Sequence, residues 1–199
     1  GSLDKILEKE RTGNSPVNWS ATSRYIILFG LSIGMNHLHK VKIIHRDLKP
    51  ANILLNENHY PVICDFGFSK SSDKRLSQFK LHTDLGTPFY RAPEILTGSY
   101  DFKIDIYSFS LVAFELITLK EPPFDLLNCL AEINGKENQK FIKRCYSRRP
   151  EKRPTFYEIC DFITKKSFTE CFGEIDLIEM LNFFDFFAEN EANFPGDEL

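Results

Sequence analysis

The stretch Ile44–Leu55, IHRDLKPANILL, sets Asp47, Lys49 and Asn52 close together in the chain. A carboxylate can accept a proton from a hydroxyl, and an ammonium can neutralise phosphate charge. An amide oxygen can ligate a hard cation such as Mg²⁺. The apolar pairs and triplets on either side, Ile43-Ile44 and Ile53-Leu54-Leu55, would hold these three heads at the rim of a core. By itself an H-R-D triplet followed by Pro50 reads as a charged surface turn.

Two further motifs change that reading. Cys64-Asp65-Phe66-Gly67 comes next, and then GTPFYRAPE from Gly86 to Glu94. Their order and spacing match the catalytic-loop, D-F-G and A-P-E signatures of protein kinases. The chain resembles the lower, C-terminal lobe of a eukaryotic protein kinase of the Ser/Thr or tyrosine-kinase-like type, from Gly1 to about Lys165. The resemblance implies a mainly helical lobe with short β-hairpins around the catalytic loop. It also implies ATP-dependent phosphoryl transfer to Ser/Thr hydroxyls of protein substrates, with Mg²⁺.

The same resemblance assigns roles. Asp47 would accept the substrate hydroxyl's proton, and Lys49 would reach the transferring phosphoryl group. Asn52 and Asp65 would hold Mg²⁺ through oxygen, and Leu54 would line the floor of the adenine pocket. Lys49 and Thr87 both point to Ser/Thr rather than Tyr acceptors. His45, Phe66 and Gly67 belong to the packing and shape of the site. Arg46 would attract a phosphorylated residue of the activation segment by a charge-assisted pair. Glu94 would pair with Arg153, and Asp105 would hydrogen-bond the catalytic-loop backbone. Tyr107 stands where the family more often has Trp.

Several elements must position these groups. Ser2 is a candidate N-cap for a short helix with Leu3, Ile6 and Leu7 on one face. Ser20–Lys40 reads as a long, largely buried helix, with Ile27, Leu31, Met35 and Leu38 at helical spacing. Its Gly30 and Gly34 each cost about 1 kcal/mol against Ala, so close packing must compensate. Ile53–Leu55 and Val62–Cys64 read as short strands about the turn Asn56–Pro61. Asp65–Glu94 corresponds to the activation segment. Its polar middle, with Ser71, Ser72, Ser77 and Thr83 among basic residues, suits phosphorylation, and suits equally an ordinary solvated loop with incidental serines. Asp105–Leu119 reads as a buried central helix ended by Lys120–Pro123. Phe124–Phe141 is shorter than the family usually has there, which bears on substrate docking. Phe141–Tyr146 and Pro154–Ile163 read as the last lobe helices, the second opened by a Thr155/Glu158 capping box.

Composition sets the outer bounds. The chain has 199 residues, 42% hydrophobic with 19 Phe, enough for a substantial core. Five cysteines without a C-x-x-C pair read as reduced thiols, and the expected location is cytoplasmic. No stretch is long and apolar enough to span a bilayer. The bases are scattered rather than striped, so no nucleic-acid partner is expected. Residues 167–199 carry nine of the 28 acids and none of the 25 bases. They are read as a separate acidic, Phe-rich tail after a kinase lobe at 1–166, with Leu177, Leu181 and Phe184 on one helix face and packing in cis. Neither a G-x-G-x-x-G loop nor a V-A-I-K lysine is present in this sequence. The ATP-clamping N-lobe is therefore expected in the full-length protein, and the 199 residues alone are expected to bind ATP weakly. The alternative is a non-catalytic kinase-like binding or scaffold module.

Overall fold

The computed structural model describes residues 1–65, 70–71, 88–98 and 100–191. The expectations for Phe66, Gly67, Thr87, Ser72, Ser77 and Thr83 lie outside the described residues. Helices α1 (Leu3–Arg11) and α2 (Ala21–Lys40) lead into strands β1 (Ile43–Ile44), β2 (Ile53–Leu55), β3 (Pro61–Ile63) and β4 (Lys70–Ser71). Helices α3 (Lys103–Thr118), α4 (Lys136–Cys145), α5 (Phe156–Ile163), α6 (Lys166–Thr169) and α7 (Leu177–Glu191) follow. The fold is the expected mainly helical lobe, with two small antiparallel sheets, β1–β4 and β2–β3.

Two helices form the centre. Every residue of α3 from Ile104 to Ile117 is buried, which accounts for an almost wholly apolar sequence. Helix α2 is buried over most of its surface and is capped reciprocally by Ser20 and Ser23. Both α2 glycines mark close approaches. A Cβ on Gly30 would stand 2.8 Å from Pro61 Cγ and 3.2 Å from Phe183 Cζ. One on Gly34 would stand 2.8 Å from Ile63 Cδ1. The missing side chains let the β2–β3 hairpin lie directly on the helix, and that burial offsets the propensity cost.

Three expectations change. Ser2 makes no side-chain cap. Instead the chain start pairs as a strand: the Leu55 amide donates to the Gly1 carbonyl at 2.7 Å, and Ser2 bridges Leu54. Backbone pairing satisfies more groups there than one hydroxyl could. Helix α4 begins at Lys136, before the apolar Phe141, because buried Asn138 anchors its first turn by donating to the carbonyls of Asn134 and Ser167. The third change is in α7. Met180 and Phe183 are buried, whereas Leu177, Leu181 and Phe184 face outward. Glu179 fixes that rotation, accepting from the hydroxyls of Ser20 at 2.9 Å and Ser23 at 2.7 Å. The described part of 167–191 packs in cis, with Phe168 and Phe172 in the same core as α2. All five cysteines are free, and no described helix is long and apolar enough to cross a membrane.

Candidate active site

The catalytic-loop groups meet between β1 and β2. Lys49 Nζ lies 2.7 Å from Asp47 Oδ2. Asn52 Nδ2 donates to the same Oδ2 at 2.9 Å and to the Asp47 carbonyl at 2.7 Å. Asp47 and Lys49 remain partly exposed at this rim, while Asn52 is only 6% exposed. The two Nδ2 bonds fix the amide so that its Oδ1 is turned away from Asp47. The Cys64 amide donates to the Asn52 carbonyl at 3.0 Å, continuing the β2–β3 register. This carries Asp65 to the end of the hairpin beside Asn52. Asp65 is exposed and adopts φ +63°, a left-handed conformation that Asp tolerates better than most residues.

The site rests on α3. Asp105, fully buried, accepts from the backbone N–H of His45 at 2.9 Å and of Arg46 at 2.8 Å. Its Oδ2 also lies 2.9 Å from His39 Nε2 at the end of α2. Arg46 sits at φ +73°, which costs roughly 1–2 kcal/mol for a residue with a Cβ. The carboxylate clamp on two successive amides holds the loop in that turn. Buried His45 braces it from the other side, with Nε2 3.0 Å from the Cys64 carbonyl. Arg46 Nη1 donates to the Tyr100 hydroxyl at 2.9 Å. Leu54 is 42% exposed on β2.

Glu94 and Arg153 form a two-pronged ion pair, with Nη2 to Oε2 at 3.0 Å and Nη1 to Oε1 at 2.5 Å. The Arg153 side chain is fully buried, and Nε donates to the Ser147 carbonyl at 2.7 Å. Its guanidinium lies 5.1 Å over the Tyr107 ring, which stacks on Tyr146 at 4.6 Å. A second tyrosine thus takes up the space beside residue 107.

Beside Lys49 a cleft of about 510 Å³ is lined by Pro50, Phe89, Tyr90, Arg11, Glu115 and Glu121, among others. Glu115, buried in α3, accepts from Arg11 Nη2 at 2.6 Å and from the Tyr90 hydroxyl. Burial pushes the Glu115 carboxyl above its usual range, against the opposing pull of Tyr90 and Arg11. Burial and the nearby Glu115 charge also push the Tyr90 phenol well up. Sequence reasoning passed over His39, Arg11 and this role of Glu115. A lone acid inside the apolar run SFSLVAFELITL was the available signal, since such a charge needs a partner.

The protein kinase domain model matches residues 2–163 of this chain. The chain belongs to the protein kinase domain family. Among its relatives is a Dictyostelium discoideum protein described as a LIM domain-containing serine/threonine-protein kinase. It is 35% identical over 183 residues, covering 84% of this chain and 27% of that protein. A dual specificity protein kinase from the same organism is 38% identical over 144 residues, 64% of this chain and 22% of its own length. A mimivirus protein described as a serine/threonine-protein kinase/receptor is 33% identical over 175 residues, 80% of this chain and 10% of that protein. This kinase domain chain therefore spans about a quarter or less of the curated relatives it matches.

The donor set suits the metal that the kinase family uses. Among the described residues no three His, Cys, Asp or Glu side chains gather at one point. An amide oxygen from Asn52 and a carboxylate from Asp65 are hard oxygen donors, and Mg²⁺ takes few protein ligands when phosphates supply the rest.

Proposed function

We propose that this polypeptide is the catalytic lobe of a protein serine/threonine kinase that uses Mg-ATP. The observation that carries the reading is the shared bonding of Asp47, Lys49 and Asn52 at one carboxylate oxygen. A substrate Ser or Thr oxygen would bond to the γ-phosphorus as the bridging P–O bond to ADP breaks. Asp47 would orient the hydroxyl and take its proton. Lys49 would offset charge on the transferring group. Asn52 and Asp65 would hold Mg²⁺, which neutralises phosphate charge when bound. Asp105 would act as a positioning residue, keeping the Asp47 backbone in register from beneath.

Preference for Ser/Thr over Tyr rests on Lys49 and on Thr87. A relative described as dual specificity makes tyrosine the acceptor to test alongside them. The decisive experiment is phosphate transfer from labelled ATP by the full-length gene product to peptides with a single Ser, Thr or Tyr. Transfer to Ser and Thr, reduced at least about a thousandfold by Asp47→Asn, is expected. Undiminished transfer by that variant would remove Asp47 from the base role. No transfer by the wild-type protein, together with retained protein binding, would favour a scaffold.

A further inference from the structure

Helix α7 has two apolar faces. One, with Met180 and Phe183, is buried against α2 and the β2–β3 hairpin. The other carries Leu177, Leu181 and Phe184, which are 75%, 60% and 43% exposed, with Ala188 one turn further. The steps 177, 181, 184, 188 alternate four and three residues, the repeat of a helix–helix seam into which side chains of a second helix insert. Ile178, 71% exposed, widens the stripe at its start. Phe184 meets Phe29 of α2 edge-on at one margin, with ring centroids 5.7 Å apart, while Leu177 and Leu181 stand mostly open.

We propose that the outward face of α7 is a docking seam for a positively charged amphipathic helix of another protein. Charge selects the occupant. Asp185 and Glu189 are exposed along the edge of the stripe, and neither forms an ion pair with a described residue. No Lys or Arg occurs anywhere in 167–199. A second copy's α7 laid on this face would set acid against acid with no base to relieve it. An anionic lipid surface would be repelled in the same way. A helix with Leu-type residues at the seam and Lys or Arg at its edges matches both the apolar repeat and the sign of the rim. The inference is independent of phosphoryl transfer.

The test uses the 199-residue chain and a labelled helical peptide of about 21 residues, three heptads, with Leu at the seam and Lys at the flanks. Fluorescence anisotropy should show saturable binding that weakens as salt rises from about 0.05 to 0.5 M. Leu177→Asp/Leu181→Asp adds negative charge but removes the seam, and should weaken binding at least about tenfold. Attraction by charge alone would instead tighten it. Asp185→Lys/Glu189→Lys leaves the seam and should flatten the salt dependence. The proposal is overturned if the Leu/Lys peptide fails to bind or if the seam variant binds it as well as wild type. It is equally overturned if a Leu/Glu counterpart binds equally well, if phosphatidylserine vesicles capture the chain, or if the chain forms a dimer that the seam variant abolishes.

Discussion

Replacing Asp105 by Asn changes one atom's chemistry at a place where two backbone donors and the His39 imidazole converge. In the wild-type protein each carboxylate oxygen receives one backbone N–H, from His45 or Arg46. An asparagine keeps one acceptor and turns an NH₂ toward the other donor. One charge-assisted bond, worth about 1.5–3 kcal/mol, is lost, and the other weakens when its acceptor becomes neutral. The buried N–H left facing a donor adds a penalty of the same order, partly relieved by local movement. A net loss of about 3 kcal/mol is expected, a large fraction of the 5–15 kcal/mol typical of a domain. For a chain of this size that is about 6–12 °C in Tm. The assay is urea unfolding followed by circular dichroism, with m unchanged and the midpoint lowered. Native-state hydrogen exchange should show the 45 and 46 amides deprotected more than those of α5. Asp161→Asn is the control, at a side chain 72% exposed in an i,i+4 pair, and should shift stability by less than about 0.5 kcal/mol. Asp105→Asn within about 0.5 kcal/mol of wild type would refute the clamp.

Gly30→Val should destabilise by about 1–3 kcal/mol, because its Cβ would already crowd Pro61 and Phe183; unchanged thermal stability would refute that contact. Glu158, about half exposed, is held below the usual carboxylate range chiefly by the Thr155 backbone N–H. Its folded-state pKa lies below the unfolded one, so its contribution is present above the ordinary glutamate pKa and is lost as pH falls through the folded value. Glu158→Gln should therefore flatten the acid side of the stability curve as pH falls below the ordinary glutamate range, by about 1 kcal/mol or less. Burial pushes the Cys145 thiol well up and leaves it with no exposed surface. In a thiol-labelling time course Cys145 should react only at the rate of unfolding, and labelling it as fast as Cys129 would sink the assignment.

Much of this architecture could be read from the residues. The heads of Asp47, Lys49 and Asn52 had to share a loop because the flanking apolar residues leave them nowhere else to go. Helix α3 was legible because a continuous apolar run of that length has few other homes. What could not be read was rotation and reach. Helix α7 has apolar residues on two sides, and periodicity alone does not say which side docks. Contact of Glu179 with Ser20 and Ser23, more than 150 positions away, decides it. Ser2 failed as a cap for a similar reason, since its competitor was the edge of a strand beginning at Ile53. His39 was hidden because a histidine near a helix end has many ordinary uses until its partner in α3 is in place.

Arg153 has a consequence for how the molecule opens. Its guanidinium joins Glu94, Ser147 and Lys103, three positions spread over more than fifty residues, through one rigid planar group. Releasing Glu94 leaves a cation stranded in the interior, and releasing either carbonyl leaves a buried N–H unpaired, so piecemeal fraying costs nearly as much as complete release. The 93–98 turn and the approach to α5 should therefore breathe as one cooperative unit, with matched amide exchange rates, and a protease that nicks one would find the other exposed in the same events.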